Sequence, residues 1–515
     1  MVRAQRRSFL RLMGFILALS VVAMGHVARA QTDAASISLS PASGPPGSMT
    51  TVTGQGFGSG ETVTIGFDVL VVASAMTDSS GSFSKSIQIP KNARPGAHTV
   101  SARGQRSGLF ASAVFTVTVV DWPTFRFEPA HSGFNPFEQI LNPGNVPQLG
   151  LAWIGNGFGP GLVFHSSPAV VSGLVYIGSD DGNLYAFRSD GCGQPSCSPV
   201  WRGPLGQSIY SAPAVDAGLV FVASASSEGK VAAFKASGCG QPTCQPVWSS
   251  PLNGTMSSPV VVNGILYIGA FDGNLYAFNA AGCGSPTCQP LWHGHTGDNI
   301  QSSPAVSGGV VYVGSADHFL YAFNAGGCVT PTCPPKWRGQ AGAGIFSSPT
   351  ISNGVVYVGS FDDGQLNAFN ASGCGQPMCQ PLWKGNAAQY IESSPAVANG
   401  KAYIGAGDGV LYVFNSNGCG QPTCQPVWRG MASGPVAAMN SSPTVANGVV
   451  YVGENQGRVY AFKSDGCGQP MCSQIWEFIT QDPIVNSSPT VVNGTLYVGG
   501  SNFGQVPEIY VFKLP

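Results

Sequence analysis

Cysteine, histidine and carboxylate side chains are the groups in this 515-residue sequence whose types and spacing admit chemistry. All 14 cysteines fall in seven pairs with four residues between partners: Cys192 and Cys197, Cys239 and Cys244, Cys283 and Cys288, Cys328 and Cys333, Cys374 and Cys379, Cys419 and Cys424, Cys467 and Cys472. Each pair sits in a segment resembling Gly-Cys-Gly-Gln-Pro-Thr-Cys. An even, regularly spaced set in an exported chain reads as local disulfides. Pairing between equivalent loops of different repeats would exceed the roughly 7 Å Cα limit. A metal reading fails because the loops contain no histidine and two thiolates fall short of the four ligands of structural zinc. His293, His295 and Asp298 share one segment, where metal binding competes with an incidental surface His-x-His. No catalytic triad can be assembled, since His26, His98 and His131 lie outside the repeated part of the chain.

A second set stands out by variation. The residue before each Ser-Ser-Pro or Ser-Ala-Pro changes sharply while its surroundings repeat: His165, Tyr210, Met256, Gln301, Phe346, Glu392, Asn440 and Asn486. These positions are expected near the mouth of a central channel. Two readings stand side by side: drift at a solvated position, or a binding funnel in which Glu392, Asn440 and Asn486 offer oxygen ligands to a cation or sugar.

The elements that must position these residues are repeats. The proline of the motif falls at Pro168, Pro213, Pro259, Pro304, Pro349, Pro395, Pro443 and Pro489, spaced by 45, 46, 45, 45, 46, 48 and 46. Periods of about 40 to 50 residues with four short strands each mean propeller blades. In one unit Ser302-Ser303-Pro304-Ala305-Val306 is expected as the first strand, Gly309 to Gly314 as the second, Phe319 to Phe323 as the third and Lys336-Trp337-Arg338 as the fourth. Small residues in first strands and Tyr, Phe and Trp further out suit blades that crowd at an axis and widen outward. The Asp-Gly pairs at Asp181, Asp272, Asp363 and Asp408 read as hairpin turn chemistry with positive φ, not as catalytic carboxylates. Seven repeats end in Trp201, Trp248, Trp292, Trp337, Trp383, Trp428 and Trp476, whereas the eighth stops after its third strand. Leu149 to Trp153, placed before the first repeat, supplies the missing strand and closes the ring, leaving no free edge. The expected fold is therefore all-β: an eight-bladed β-propeller over 146–515, closed by an N-terminal strand.

Composition agrees. Gly and Pro, at 70 and 39 residues, punctuate many short strands, while charged residues reach only 9% against roughly 25% in an average protein, which excludes long charged helices. Arg6-Arg7, Arg11, the apolar run from Leu12 to Met24 and Ala28-Arg29-Ala30 mark residues 1–30 as a signal peptide of the twin-arginine type, too short in its apolar run to span a bilayer. Its removal deletes five arginines and no acid, moving the formal charge from -1 to -6. That acidic balance argues against nucleic acid and anionic membranes as partners, and the mature chain has no transmembrane candidate. Residues 34–119 lack cysteine, tryptophan and the repeat, and their short alternating strands suggest a small Ig-like β-sandwich. Residues 120–145 form a connector whose Trp122, Phe125 and Phe127 are expected to pack against the propeller.

Ser167-Pro168-Ala169-Val170, Gly173 to Ser179, Asp181 to Phe187 and the closing Trp201 resemble the PQQ-like propeller repeat of quinoprotein dehydrogenases and of an outer-membrane assembly lipoprotein. Asn145-Val146, Leu149 and Trp153 resemble the start of such propellers, and Gly47, Val52-Thr53-Gly54 and Gly56-Phe57 are similar to IPT/TIG surface modules. The resemblance implies, for catalytic members, a quinone (PQQ) between a tryptophan floor and an adjacent-cysteine disulfide, with calcium and an aspartate base. This sequence has no adjacent cysteine pair, no tryptophan left for a floor and no Cys-x-x-Cys-His for haem. No cofactor is therefore expected. The first functional reading is an exported, non-catalytic propeller, periplasmic, at the cell surface or extracellular, that binds a protein, glycan or surface component through its rim. The alternative is a periplasmic dehydrogenase with PQQ and calcium in the channel.

Overall fold

The computed structural model describes residues 34–90, 93, 95–159, 165–431, 437–480, 487–500 and 508–515, so the expected signal peptide and Asn486 lie outside the described residues. The chain is all-β, with an Ig-like N-terminal module and a β-propeller. In the N-terminal module Ser36–Ser40, Met49–Gln55 and Phe83–Gln88 form a three-stranded sheet, and Thr62–Phe67 lies between Leu70–Met76 and Gly96–Gly104 in a five-stranded one. Strand alternation puts Val52, Val63, Ile65, Ile87 and Val100 inside.

Among the described residues of 150–515, eight sheets repeat one plan. In blade 4, Ala305–Ser307, Val310–Gly314, Phe319–Asn324 and Trp337–Gln340 pair antiparallel in sequence order. First strands of successive blades are neighbours around a closed circuit. Blade 8 is completed as expected: Gly150–Gly155 pairs antiparallel with Glu508–Lys513, from Gly150 opposite Lys513 to Gly155 opposite Ile509. Two expectations are corrected. First, the inner strand begins at Ala305, not Ser302. Pro304 has no N–H to give, and Ser302 substitutes for the ladder with its side chain, accepting from Gly314 N at 2.8 Å and donating to Gly314 O at 2.9 Å. Second, turns with consecutive positive φ join the first and second strands, as at Asn263-Gly264 with φ 51° and 75°; at Asp272-Gly273 only the glycine, at 77°, is positive. Asp181, Asp272 and Asp408 are turn residues whose carboxylates accept from Tyr185, Tyr276 and Tyr412 hydroxyls at 2.6, 2.7 and 2.7 Å.

All seven cysteine pairs are disulfides within their loops. They do more than clip their own hairpins. The second cysteine of each loop lies parallel to the outer strand of the preceding blade, as in Ile154–Gly155 against Ser196–Cys197 and Arg338–Gly339 against Met378–Cys379. A positive-φ glycine just ahead of each loop packs on that blade's tryptophan, where an added Cβ at Gly238 would stand 2.7 Å from the Trp201 ring. The junction of blades 7 and 8 has no such loop; there Trp476 Nε1 donates to Leu149 O at 3.1 Å.

The connector also goes beyond its expected packing role. Residues 122–135 form a ribbon along the inner edges of the blades. Trp122 N donates to Val170 O in blade 1, and Pro123 O accepts from Val215 N in blade 2. Pro129, Ala130, Ser132 and Gly133 carbonyls then take the amides of Val306, Ile351, Val397 and Val445, in blades 4 to 7, at 2.7, 2.8, 2.8 and 2.8 Å. Asn135 Nδ2 reaches Val491 O of blade 8 at 2.8 Å. One lap of backbone therefore occupies the axial channel.

Candidate axial binding site

The residue before the motif and its second serine are two apart in extended chain, so both face the axis while the first serine turns into its own blade. Gln301 and Ser303 face the cavity in this way, and Ser302 bonds Gly314. His165, Tyr210, Met256, Gln301, Phe346, Glu392 and Asn440 all line one cavity of about 230 Å³. The variable positions are thus brought together, apart from Asn486, which is not among the described residues.

Sequence reasoning missed the layer beneath them. Each second-serine Oγ accepts the amide of its counterpart one blade back: Ala212 N to Ser258, Ser258 N to Ser303, Ser303 N to Ser348, Ser348 N to Ser394 and Ser394 N to Ser442, at 2.8 to 3.0 Å. Ser442 N to Ser488 and Ser488 N to Ser167, at 3.1 and 2.8 Å, carry the chain across the closure. The ring breaks once, at Ala212, which has no hydroxyl to take the Ser167 amide. The recurrence of serine at this site was the available signal. We expect Ala212→Ser to complete the ring and stabilise the protein by about 0.5–1.5 kcal/mol. Thermal unfolding of the variant checks this, and an unchanged or lowered Tm would remove the ring as a stabilising device.

The ribbon puts Phe125 into the lining of the cavity. Below, Arg126 is fully buried, with Nη1 donating to Pro443 O at 2.5 Å and Nη2 to Pro395 O at 2.6 Å. Burial without a carboxylate partner pushes its pKa down to about 9. His131 packs edge-on against Phe125 with ring centroids 5.5 Å apart. It is neutral, pushed down to about 3 by burial with the Arg126 charge adding. Nothing in the connector sequence distinguishes these residues from ordinary solvated ones.

At the mouth, the His165 and Tyr210 rings lie 4.3 Å apart, and burial pushes His165 down to about 4, so it too is neutral near pH 7. Burial pushes the Glu392 carboxyl up. His293 and His295 are at the outer strand of blade 3, bonded to Thr332 Oγ1 at 2.9 Å and Asn274 Oδ1 at 3.1 Å. Among the described residues no three His, Cys, Asp or Glu side chains converge as a metal site, and no helix is long and apolar enough to cross a membrane.

The sequence model of the outer membrane protein assembly factor BamB, built on PQQ repeats, matches residues 152–280, 194–326, 283–376 and 379–502. The chain belongs to this family. A macroglobulin-like domain matches residues 32–117, the Ig-like module. No functionally curated protein matches. Among solved structures, BamB from Moraxella catarrhalis is similar at 16% identity and a TM-score of 0.53, over 71% of this chain and 97% of that one. A quinohemoprotein alcohol dehydrogenase from Pseudomonas putida HK5 is similar at 15% and 0.57, over 77% and 80%. A europium-containing methanol dehydrogenase is similar at 12% and 0.56, over 76% and 98%. At such identities the likeness establishes the fold alone.

A quinone would need an aromatic floor and metal-holding carboxylates around the axis. The cavity lining contains no tryptophan and one carboxyl, Glu392, while every cysteine is paired with a partner five residues away in a surface loop. The residues present do not fit that group.

Proposed function

We propose that the chain is an exported, non-catalytic propeller that binds its ligand at the mouth of the axial cavity. One observation carries the reading: the residue before each repeated motif varies while the motif itself repeats, and seven of these eight side chains line one cavity. Repetition holds the fold, so variation confined to a shared cavity is where specificity can be written. A volume of about 230 Å³ suits a small solute or the tip of a larger partner, being below the roughly 300–1,000 Å³ of ordinary cofactor and drug sites. Seven disulfides support export to an oxidising compartment, as does the N-terminal segment. Protein, glycan and surface components remain the partner classes of this reading.

The alternative is a quinone enzyme, since two of the propellers that share this fold are dehydrogenases. Titration of the mature protein with PQQ and calcium, followed by cofactor absorbance and Tm, separates the two. The expected result is no saturable binding. Saturable binding that is lost in Glu392→Ala would overturn the non-catalytic reading.

A further inference from the structure

We propose that the axial cavity receives a small organic cation, an alkylammonium compound, held by the Glu392 carboxylate against an aromatic wall. The proposal rests on the axial-site reading above and names its ligand class.

Glu392 is the one acid in the lining, which has no lysine or arginine. Among the described residues no hydrogen bond or ion pair reaches its carboxyl, and burial alone raises its pKa. A half-buried carboxyl without a counter-charge is costly unless a cation arrives with the ligand. The surrounding groups select the kind of cation. Phe346 lines the cavity and packs edge-on against Phe361 at 5.2 Å, and Phe361 meets Tyr390 at 5.0 Å. Tyr390 feels the Glu392 charge, which adds to burial in raising its own pKa. A lone carboxylate in a cavity also lined by the rings of Phe125, Tyr210 and Phe346 suits an ammonium group, through ion pairing and the aromatic quadrupole together. A hard metal ion is better served by several carboxylates, and among the described residues no three His, Cys, Asp or Glu side chains converge.

The floor supplies the other end. Each serine of the ring already accepts a backbone amide, and its own proton has no acceptor among the described residues. Ser303, Ser348, Ser394 and Ser442 therefore present O–H donors to the cavity. An ammonium compound that also carries an oxygen satisfies both layers.

Choline is the probe, with 3,3-dimethylbutan-1-ol as its neutral isostere, measured by calorimetric titration of the mature full-length protein. We expect one saturable choline site, the isostere weaker by about ten-fold or more, and a similar loss in Glu392→Gln at unchanged Tm. Equal binding of the isostere, or choline binding indifferent to Glu392→Gln, overturns the cation assignment and leaves a neutral-ligand axial site. Absence of choline binding overturns it as well. Saturable PQQ binding in the preceding experiment would instead sink the reading beneath it.

Discussion

A chain lacking residues 146–155 is expected to lose cooperative folding. The segment contributes the fourth strand of blade 8, along Glu508–Lys513, and three residues of the core, Val146, Leu149 and Trp153. Truncating one large buried side chain costs roughly 3–5 kcal/mol, and the whole stability of a domain is about 5–15. Deletion also bares the edge of Glu508–Lys513 and removes the carbonyl that accepts from Trp476. Far-UV circular dichroism and a thermal melt read the outcome; native spectra with a sharp transition would refute closure by this strand. Gly150 stands opposite Lys513, so grafting the strand after Pro515 through a tight hairpin loop should restore the fold.

Reduction of the seven disulfides is expected to lower Tm by on the order of 10 °C. A closed six-residue loop contributes about 2 kcal/mol in the chain-entropy model, and in a chain of this length each kcal/mol corresponds to about 1 °C. The loops also supply a strand to the neighbouring blade and a glycine against its tryptophan, so their loosening is felt at seven of the eight junctions. Melting in a phosphine reductant, with free thiols counted, checks it. A fully reduced protein with unchanged Tm would show that strand pairing holds the loops without the bond.

Period, closure and disulfide partners were legible because each is written repeatedly or in short-range spacing: the proline interval, the missing eighth tryptophan strand, cysteines five apart. The axial positions were legible from variation against that background. What escaped depends on partners far along the chain. The sequence of blade 4 does not show that Ser303 serves the amide of Ser258, 45 residues earlier. It does not show that the cysteine loops reach backward to the preceding blade, since the pairing belongs to the ring and not to the repeat. The connector was the hardest. Its residues carry no period, and Arg126 is buried only because the carbonyls of Pro395 and Pro443, some 270 and 320 residues away, converge on it.

The ribbon of residues 122–135 acts as a ruler. Tandem repeats of nearly identical sequence are prone to gain or lose copies, and neighbouring blades alone have little to distinguish one copy number from another. Here a fixed length of backbone offers its carbonyls in order to the amides of blades 1, 2 and 4 to 7, and the Asn135 side chain then reaches blade 8. Adding or removing a repeat within that series would put the remaining ribbon carbonyls out of step with the blade amides they serve and leave buried polar groups unpaired. The copy number of the array is thus recorded outside the array, in a segment that cannot itself be duplicated by repeat slippage.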